Sequence, residues 1–477
     1  MKYSIYLACV LLTGCVVGPN YQRPDLAAQL PKQYQRIEDG PSNQQVEILP
    51  DRWWLTFNDS AINQLVDAAL LRNLDLASAD ANIRQARAQL GIIDSASQPQ
   101  LNANGDISHD QFSKNSELMA NIPFPNPRTM FNDYKAGFDA SWEIDLFGHT
   151  ARSIEAAKAR LNSIEQQREG VALRVAAEVT RNVIDYRAWQ LRSKNAEAIF
   201  VDSQHLLDLM QLQQKAGLLS DSDVTEAQTA LHNAAAAIPP LQAATLASMM
   251  AITVLIDQPQ EQVATILQAN ADIPAVPAHI DSIGLPSDLL LRRPDLRIAE
   301  RELAAATADI GVAKAEQYPQ LTLLASGGLD SITPGKLTNL ASRYWNIGPQ
   351  LSIPLFTGGR LAAQVNSREA ARDAALSNYR QAVLSAFSDT EIALIRYQRE
   401  QQRLTQIKQA FASQHRQLEF AEQRYQLGET NFSYVLQTRQ QLAQTNELQL
   451  ASQQALAENL TALFKSLGGG FNEKPAQ

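Results

Sequence analysis

The sequence predicts a mixed α and β protein, internally duplicated, in which four strands belong to a transmembrane β-barrel and long helices form a coiled coil. Three observations predict it. Short motifs recur in the same order in both halves of the 477 residues. Two segments alternate apolar and polar residues with period two. Two stretches, each far longer than an ordinary globular helix, are almost free of Gly and Pro.

The duplication comes first because it fixes the order of everything else. Asp75-Leu76 recurs as Asp295-Leu296, and Pro99-Gln100-Leu101 as Pro319-Gln320-Leu321, each 220 positions later. Gly91-Ile92 and Gly311-Val312 keep that offset. Leu146-Phe147 answers Leu355-Phe356 at 209, and Gly217 answers Gly428 at 211. Solenoid repeats have periods of roughly 20–50 residues, so this is a duplicated half-protein. Each half reads as a helix, a strand pair, a very long helix, a sharp turn and a returning helix.

The strands are read from their alternation. Tyr134, Ala136, Phe138, Ala140, Trp142, Ile144 and Leu146 interleave with Lys135, Gly137, Asp139, Ser141, Glu143 and Asp145. In the second half Trp345, Ile347, Pro349, Leu351, Ile353 and Leu355 interleave with Asn346, Gly348, Gln350, Ser352 and Pro354. Side chains of a strand alternate between its two faces, so one face is apolar and the other polar. Partner strands are expected near Leu101–Ser108 and Leu321–Ser326, shorter and less regular. An amphipathic sheet of a soluble domain would read the same way for one strand. Strands of about ten residues with terminal aromatics fit a membrane barrel around water. Four strands cannot close a barrel, and open edges are not tolerated in lipid. The chain is therefore expected to oligomerise. Pro349 and Pro354 count against a central strand position.

The helices follow from composition. Leu361 to Leu427 contains neither Gly nor Pro, and His149 to Ala216 contains only Gly170. At 1.5 Å per residue such a helix reaches roughly 100 Å. Ala, Gln, Arg, Glu and Leu dominate both, as in coiled coils. Gly217 and Gly428 end them, since glycine accepts the left-handed conformation of a helix stop. Returning helices are expected from about Asp223, and from about Phe432 to Leu467. Ile238-Pro239-Pro240 and the stretch from Pro259 to Pro286 are expected to break the helical pattern.

The first residues read as a processing signal. Lys2 and the short apolar run Tyr3–Leu12 precede Leu12-Thr13-Gly14-Cys15, too short a run to span a bilayer. No other stretch approaches 18 consecutive apolar residues. Cleavage before Cys15 would leave it as the one mature cysteine, excluding an internal disulfide and marking Cys15 for lipidation. The net charge of −9 argues against nucleic acid as a partner. The six His residues are scattered without metal-ligand spacing. There is no phosphate-binding Gly-Lys-Ser/Thr loop and no Gly-x-Ser-x-Gly elbow. No enzyme, cofactor or metal site is expected. Asp139, Glu143 and Asp145 are read as a solvated wall rather than as catalytic carboxylates.

With Leu12–Cys15 in place, further motifs acquire meaning. They are Gly18-Pro19-Asn20-Tyr21-Gln22-Arg23-Pro24, Trp53-Trp54 with Phe57-Asn58-Asp59, and Leu291-Arg292-Arg293-Pro294-Asp295-Leu296 with Glu300. Leu355-Phe356-Thr357-Gly358-Gly359-Arg360 and Leu467-Gly468-Gly469-Gly470 complete the set. Over nearly its whole length the chain resembles the bacterial outer-membrane efflux lipoproteins, the TolC-like outer-membrane factors of tripartite pumps. Arg293-Pro294-Asp295 also has a local reading, as a helix entrance with Pro in the first turn followed by an acid, and that reading is preferred to a binding site.

The resemblance implies a homotrimer, with a twelve-stranded barrel in the outer membrane and a twelve-helix tunnel in the periplasm. It implies a periplasmic adaptor at the tunnel tip and an inner-membrane pump reached through that adaptor. Val16 after Cys15 favours the outer membrane. Gly217-Leu218 resembles the adaptor-contact turn, and Gly428 with Glu429 matches it less well. Asp223 stands where relatives carry a gate aspartate, and Tyr434 and Gln437 stand where one or both are often Asp. Asp223 is equally a candidate helix cap, and capping is favoured for Asp221. Asp221, Asp223 and Glu226 would form three-fold acidic clusters in a trimer.

The expected divisions are a signal peptide at 1–14, a lipidated segment at 15–60, a first repeat at 61–240, an equatorial link at 241–287, a second repeat at 288–467 and a tail at 468–477. The favoured function is a passive exit channel for drugs or toxic small molecules. The alternatives are a type I protein-secretion channel and a non-conducting periplasmic coiled-coil scaffold.

Overall fold

The computed structural model describes residues 16–31, 34, 52–117, 128–268, 272–277 and 289–469. The expected signal peptide 1–14, Cys15, parts of the 15–60 and 241–287 segments and Gly470 with the tail beyond it lie outside the described residues. The first repeat contains α1 (Ser60–Arg72), α2 (Leu74–Asp94), β1 (Gln100–Gln111), β2 (Met130–Ile144), α3 (His149–Lys215) and α4 (Asp221–Ile256). A short α5 (Gln260–Leu267) follows. Then come α6 (Leu289–Arg292), α7 (Pro294–Ala315), β3 (Gln320–Ser331), β4 (Arg343–Ser352), α8 (Arg360–Gln426) and α9 (Phe432–Ser466). The duplication is visible in the bounds: α8 begins and ends 211 positions after α3, and β3 begins and ends 220 positions after β1.

The chain divides into two compact units. One is built from residues 16–23, Ile83–Ser163 and Glu300–Asn378, and holds a single antiparallel sheet in the order β1-β2-β3-β4. β1 and β3 are 12 residues each, longer than the short partner strands expected from sequence. Their alternation is blurred by Gly105, His109, Gly327 and Gly328. β4 stops at Ser352, before Pro354. Pro349 lies inside β4 opposite Leu323, where it withholds one donor from the ladder on one side of the strand.

In the same unit the residues after Cys15 are tied down. Val17 N–H donates to the Phe147 carbonyl at 3.1 Å. The Arg152 guanidinium donates to the carbonyl of Val17 at 3.2 Å and to Asn20 Oδ1 at 2.6 Å. Gly18 has φ +93°, and a Cβ there would lie 2.5 Å from the Gly311 Cα. Only glycine fits that approach. Tyr21 donates to Glu300.

The other unit, from residues 24–82, Ile164–Ala299 and 379–469, is helical. Trp53, Trp54 and Phe57 are buried there, and Trp53 stacks on Phe464 at 5.4 Å. Burial of each such side chain contributes roughly 1.5–3 kcal/mol. Asp59 caps α1, accepting from the N–H groups of Ala61 at 2.9 Å and Ile62 at 3.0 Å. The same carboxylate pairs with the fully buried Arg187 of α3.

Arg293 stands at a helix entrance, as its local reading expects, directly before Pro294 and Asp295 in the first turn of α7. Beyond opening α7 it donates to the Ser466 carbonyl at 3.0 Å and, 3.4 Å away, to the Ala386 carbonyl and to Asp389. It ties the start of α7 to α8 and to the end of α9.

Pro239-Pro240 is a correction. Both prolines lie inside α4, which runs unbroken to Ile256. Buried Val224, Ala227 and Leu231 hold the helix before them, and buried Ser248, Met249, Ile252 and Ile256 hold it after them. Packing on both sides overrides a local cost of about 3 kcal/mol per proline. α4 is also long and apolar enough, by length and composition, to cross a membrane. Its capped acidic start and its inclusion in the helical unit tie it to the coiled coil instead.

Candidate functional site

The sheet register sorts the side chains. Asp106 faces Lys135, and Lys135 faces Asp330. Asn102 faces Asp139, which faces Ser326, which faces Asn346. Glu143 faces Thr322, which faces Gln350. Residues directly opposite in a ladder share a face. One face therefore gathers Asp106, Asp133, Asp139, Glu143 and Asp330 against the single basic residue Lys135. Lys135 lies 2.5 Å from Asp133 and 3.9 Å from Asp330.

The other face gathers Leu101, Ile107, Phe138, Trp142, Leu321, Leu323, Leu329, Trp345, Ile347 and Leu351, with Ala and Gly between them and the polar residues His109, Gln111, Asn132, Ser331 and Arg343 together at one end. The sequence showed this alternation in β2 and β4. The ladder extends it across all four strands. A wall apolar on one side and carboxylate-rich on the other suits lipid outside and water inside.

The helical unit carries the two turns. Gly217 has φ +76° and Gly428 has φ +74°. At the first, Gly217 N–H reaches the Gln214 carbonyl at 2.8 Å and Leu218 N–H the Gln213 carbonyl at 2.9 Å. At the second, Gly428 N–H reaches Tyr425 at 3.0 Å and Glu429 N–H reaches Arg424 at 2.9 Å. This paired bonding closes a helix on a left-handed glycine. Nothing lies within 4 Å of a Cβ built on either glycine, and Leu218 is exposed. The turns are free surfaces of the chain.

Asp223 is the third residue of α4 and completes a capping box. It accepts from Ser220 N–H and Oγ, both at 2.8 Å, while its own N–H donates to Ser220 Oγ at 3.4 Å. The Ser220 N–H bond holds its carboxyl below the usual range. Asp221 accepts from Gln214 Nε2 at 2.6 Å. Tyr434 occupies the same third position in α9, where its N–H donates to the Asn431 cap at 3.0 Å. Its phenol cannot return the second bond of the box. Tyr434 and Gln437 are exposed. Among the described residues no hydrogen bond or ring contact joins Asp223 to Tyr434 or Gln437. No group of three or more His, Cys, Asp or Glu able to hold a metal occurs among the described residues.

Sequence reading missed the polar seam between α3 and α9. Arg192 donates to Glu447 at 2.5 Å, Asn195 to the Ala443 carbonyl at 2.8 Å, and Gln440 to Ser203 at 3.0 Å. Gln454 donates to Asp185 at 2.7 Å and to Glu458 at 2.9 Å. The signal lay in polar residues at helical spacing: Asp185, Arg192 and Asn195 on one helix, Glu447, Gln454 and Glu458 on the other. It is hard to see in stretches that are polar all round.

The comparisons with known proteins agree with this geometry. The family model for outer membrane efflux protein matches residues 65–257 and 285–469. Nodulation protein T of Rhizobium leguminosarum bv. trifolii is 29% identical over 475 residues, covering 99% of this chain and 98% of that protein. The pyoverdine export outer membrane protein OpmQ of Pseudomonas aeruginosa is 29% identical over 468 residues, covering 98% and 96%. The solved outer-membrane channel OprN superposes with a TM-score of 0.83 at 30% identity, covering 95% of this chain and 99% of that one. The chain belongs to the outer membrane efflux protein family and is an outer-membrane channel protein.

Proposed function

We propose that the chain is the exit duct of a tripartite efflux pump, conducting drugs or other toxic small molecules passively from periplasm to exterior. The observation that carries this reading is the ladder-wide sorting of the sheet into an apolar and a carboxylate-rich face. A non-conducting scaffold has no use for such a wall. Among the described residues both sheet edges are free, and three copies would close twelve strands. The duct works as a homotrimer in outer-membrane lipid. A periplasmic adaptor docks on the turns at Gly217-Leu218 and Gly428 and links it to an inner-membrane pump. Asp223, Tyr434 and Gln437 line the closed periplasmic end.

Cys15 carries the lipid anchor. Support comes from the residues that follow it: Val17 is bonded to Phe147, just past the end of β2, and Val16 packs against Gly148. An acyl chain on Cys15 would start beside the end of the membrane strands.

The test is accumulation of dyes and antibiotics in a deletion strain, complemented with the intact gene or with one lacking Tyr134–Leu146. Raised accumulation rescued by the intact gene alone supports the duct. Unchanged accumulation with a lost secreted protein moves the function to type I secretion. Rescue by the strand-deleted gene overturns a conducting role.

A further inference from the structure

Gly170 is the only Gly or Pro in α3, and glycine weakens a helix interior relative to alanine. Close packing does not demand it. A Cβ built there would meet only Pro294 Cβ, at 3.6 Å, an ordinary contact. What the missing side chain leaves is space. Gly170 borders a cleft of about 610 Å³ bounded by α3, the start of α7, α8 and α9. Every residue that lines it belongs to the helical unit. Small-molecule sites have volumes of roughly 300–1,000 Å³, and this cleft falls among them.

The lining is apolar where it is buried and cationic where it is open. Leu173, Pro294 and Ala393 are buried. On α8, Asp389, Ile392 and Arg396 follow at spacings of three and four and share one helix face. Ile392 is 45% exposed there. Arg174, Arg396 and Lys465 stand exposed around the opening. Asp295 and Asp389 also line the cleft, but both turn to Arg293, whose Nη2 lies 2.7 Å from Asp295 and 3.4 Å from Asp389. Arg174 has an exposed pair with Asp75 at 2.8 Å, which is weak in water. Neither the Arg396 nor the Lys465 side chain has a hydrogen-bond or ion-pair partner among the described residues. Lys465 suits the last turn of α9. Arg396, in the middle of α8, has no such local reason. Four cations against two carboxylates make the lining positive in a chain of net charge −9.

We infer that this cleft binds an amphipathic organic anion. Its carboxylate or sulfonate is held by Arg396, Lys465 and Arg174, and its aromatic or alkyl body lies over Leu173, Ala393 and Ile392. A bare inorganic anion would leave the apolar lining in water. A neutral apolar ligand would forgo the charge-assisted bonds that the three cations offer. Only a molecule with both parts uses the whole lining. The cleft lies within one unit of one chain, so its occupancy does not depend on a conducting role.

The test is isothermal titration of the full chain in lipid nanodiscs, with empty nanodiscs as the blank for partition into lipid. The probes are naphthoate, its neutral analogue naphthamide, and inorganic sulfate. Naphthoate should bind saturably at one site per chain, with naphthamide and sulfate each weaker by about tenfold or more. Arg396→Gln with Lys465→Gln should weaken naphthoate by about tenfold or more and leave naphthamide unchanged. Higher ionic strength should weaken naphthoate more in the wild type than in this variant. Ile392→Ser should weaken naphthoate severalfold and leave sulfate unchanged. Gly170→Leu keeps every charge, fills the cleft from α3 and should abolish naphthoate binding. The charge variant alters two exposed side chains, so its melting temperature should match the wild type and keep the test open if Gly170→Leu fails to fold. Absence of saturable naphthoate binding overturns the site, and so does equal affinity in the wild type and the charge variant. Sulfate binding as tightly as naphthoate overturns the amphipathic ligand, and naphthamide binding as tightly overturns the anion.

Discussion

Asp185 and Glu458 share one amide. Gln454 Nε2 donates to Asp185 Oδ1 at 2.7 Å and to Glu458 Oε1 at 2.9 Å, which brings two carboxyl groups together between α3 and α9. Burial and the neighbouring Asp185 push Glu458 up to about 7. Arg181 lies 3.6 Å from the far oxygen of Asp185, and Arg192 donates to Gln454 Oε1 at 3.4 Å.

This pair makes the helical unit pH-sensitive. An acid whose folded value lies above its unfolded value binds an extra proton in the folded state between the two. Its favourable contribution is complete below 4.5 and is lost as pH rises through about 7. The melting temperature of the purified protein should therefore fall over that interval. Glu458→Gln, which keeps the shape and removes the charge, should flatten the profile and raise the alkaline end above wild type. An unchanged slope in Glu458→Gln would show that the pair does not carry the effect.

The buried ion pair of Asp59 and Arg187 should respond differently. Arg187→Met strands a carboxylate that is 3% exposed. Breaking a buried pair from one side costs about 3–5 kcal/mol. Asp59→Ala should cost as much and also lose the α1 cap. The double variant Asp59→Asn with Arg187→Met keeps a cap and leaves no charge, so it should recover much of the loss. Thermal melts of the four proteins decide this. Equal losses in Arg187→Met and the double variant would mean that packing, not charge, dominates.

Much of this fold was legible because it rests on local rules. The alternation of Tyr134–Leu146 and the Gly-free run from Leu361 are one-dimensional signals. Gly217 and Gly428 mark turns because only the backbone conformation matters there. Pro239-Pro240 misled because its local penalty is outweighed by packing on both sides, which a single helix does not display. Asp59 and Arg187 are 128 residues apart, and Arg152 reaches the backbone after Cys15 only in the fold. Asp223 is ambiguous for another reason. The same carboxylate suits a helix N-terminus and a ring of charge, and sequence cannot separate two roles that need one residue type.

A control at Ser220 separates those roles. Ser220→Ala removes the cap and leaves the Asp223 carboxylate, at a cost of about 0.5–2 kcal/mol. Asp223→Ala with Tyr434→Ala removes the gate candidates. If these residues hold the end closed, the second variant should raise single-channel conductance and antibiotic permeation severalfold, and Ser220→Ala should do neither. Equal permeation in both would assign Asp223 to capping alone.

The carboxylate-rich face should set an ion preference. Asp106, Asp133, Asp139, Glu143 and Asp330 outnumber Lys135 on it, and a charged inner wall concentrates counter-ions. Reversal potentials across a salt gradient in planar bilayers should show cation preference for the wild type. Asp139→Asn with Glu143→Gln should lower the cation-to-anion permeability ratio, and more so at low salt, where screening extends over a longer distance. Lys135→Gln should raise it slightly, because Lys135 is already paired with Asp133 and close to Asp330. A ratio unmoved by both substitutions would place the selective step away from the sheet.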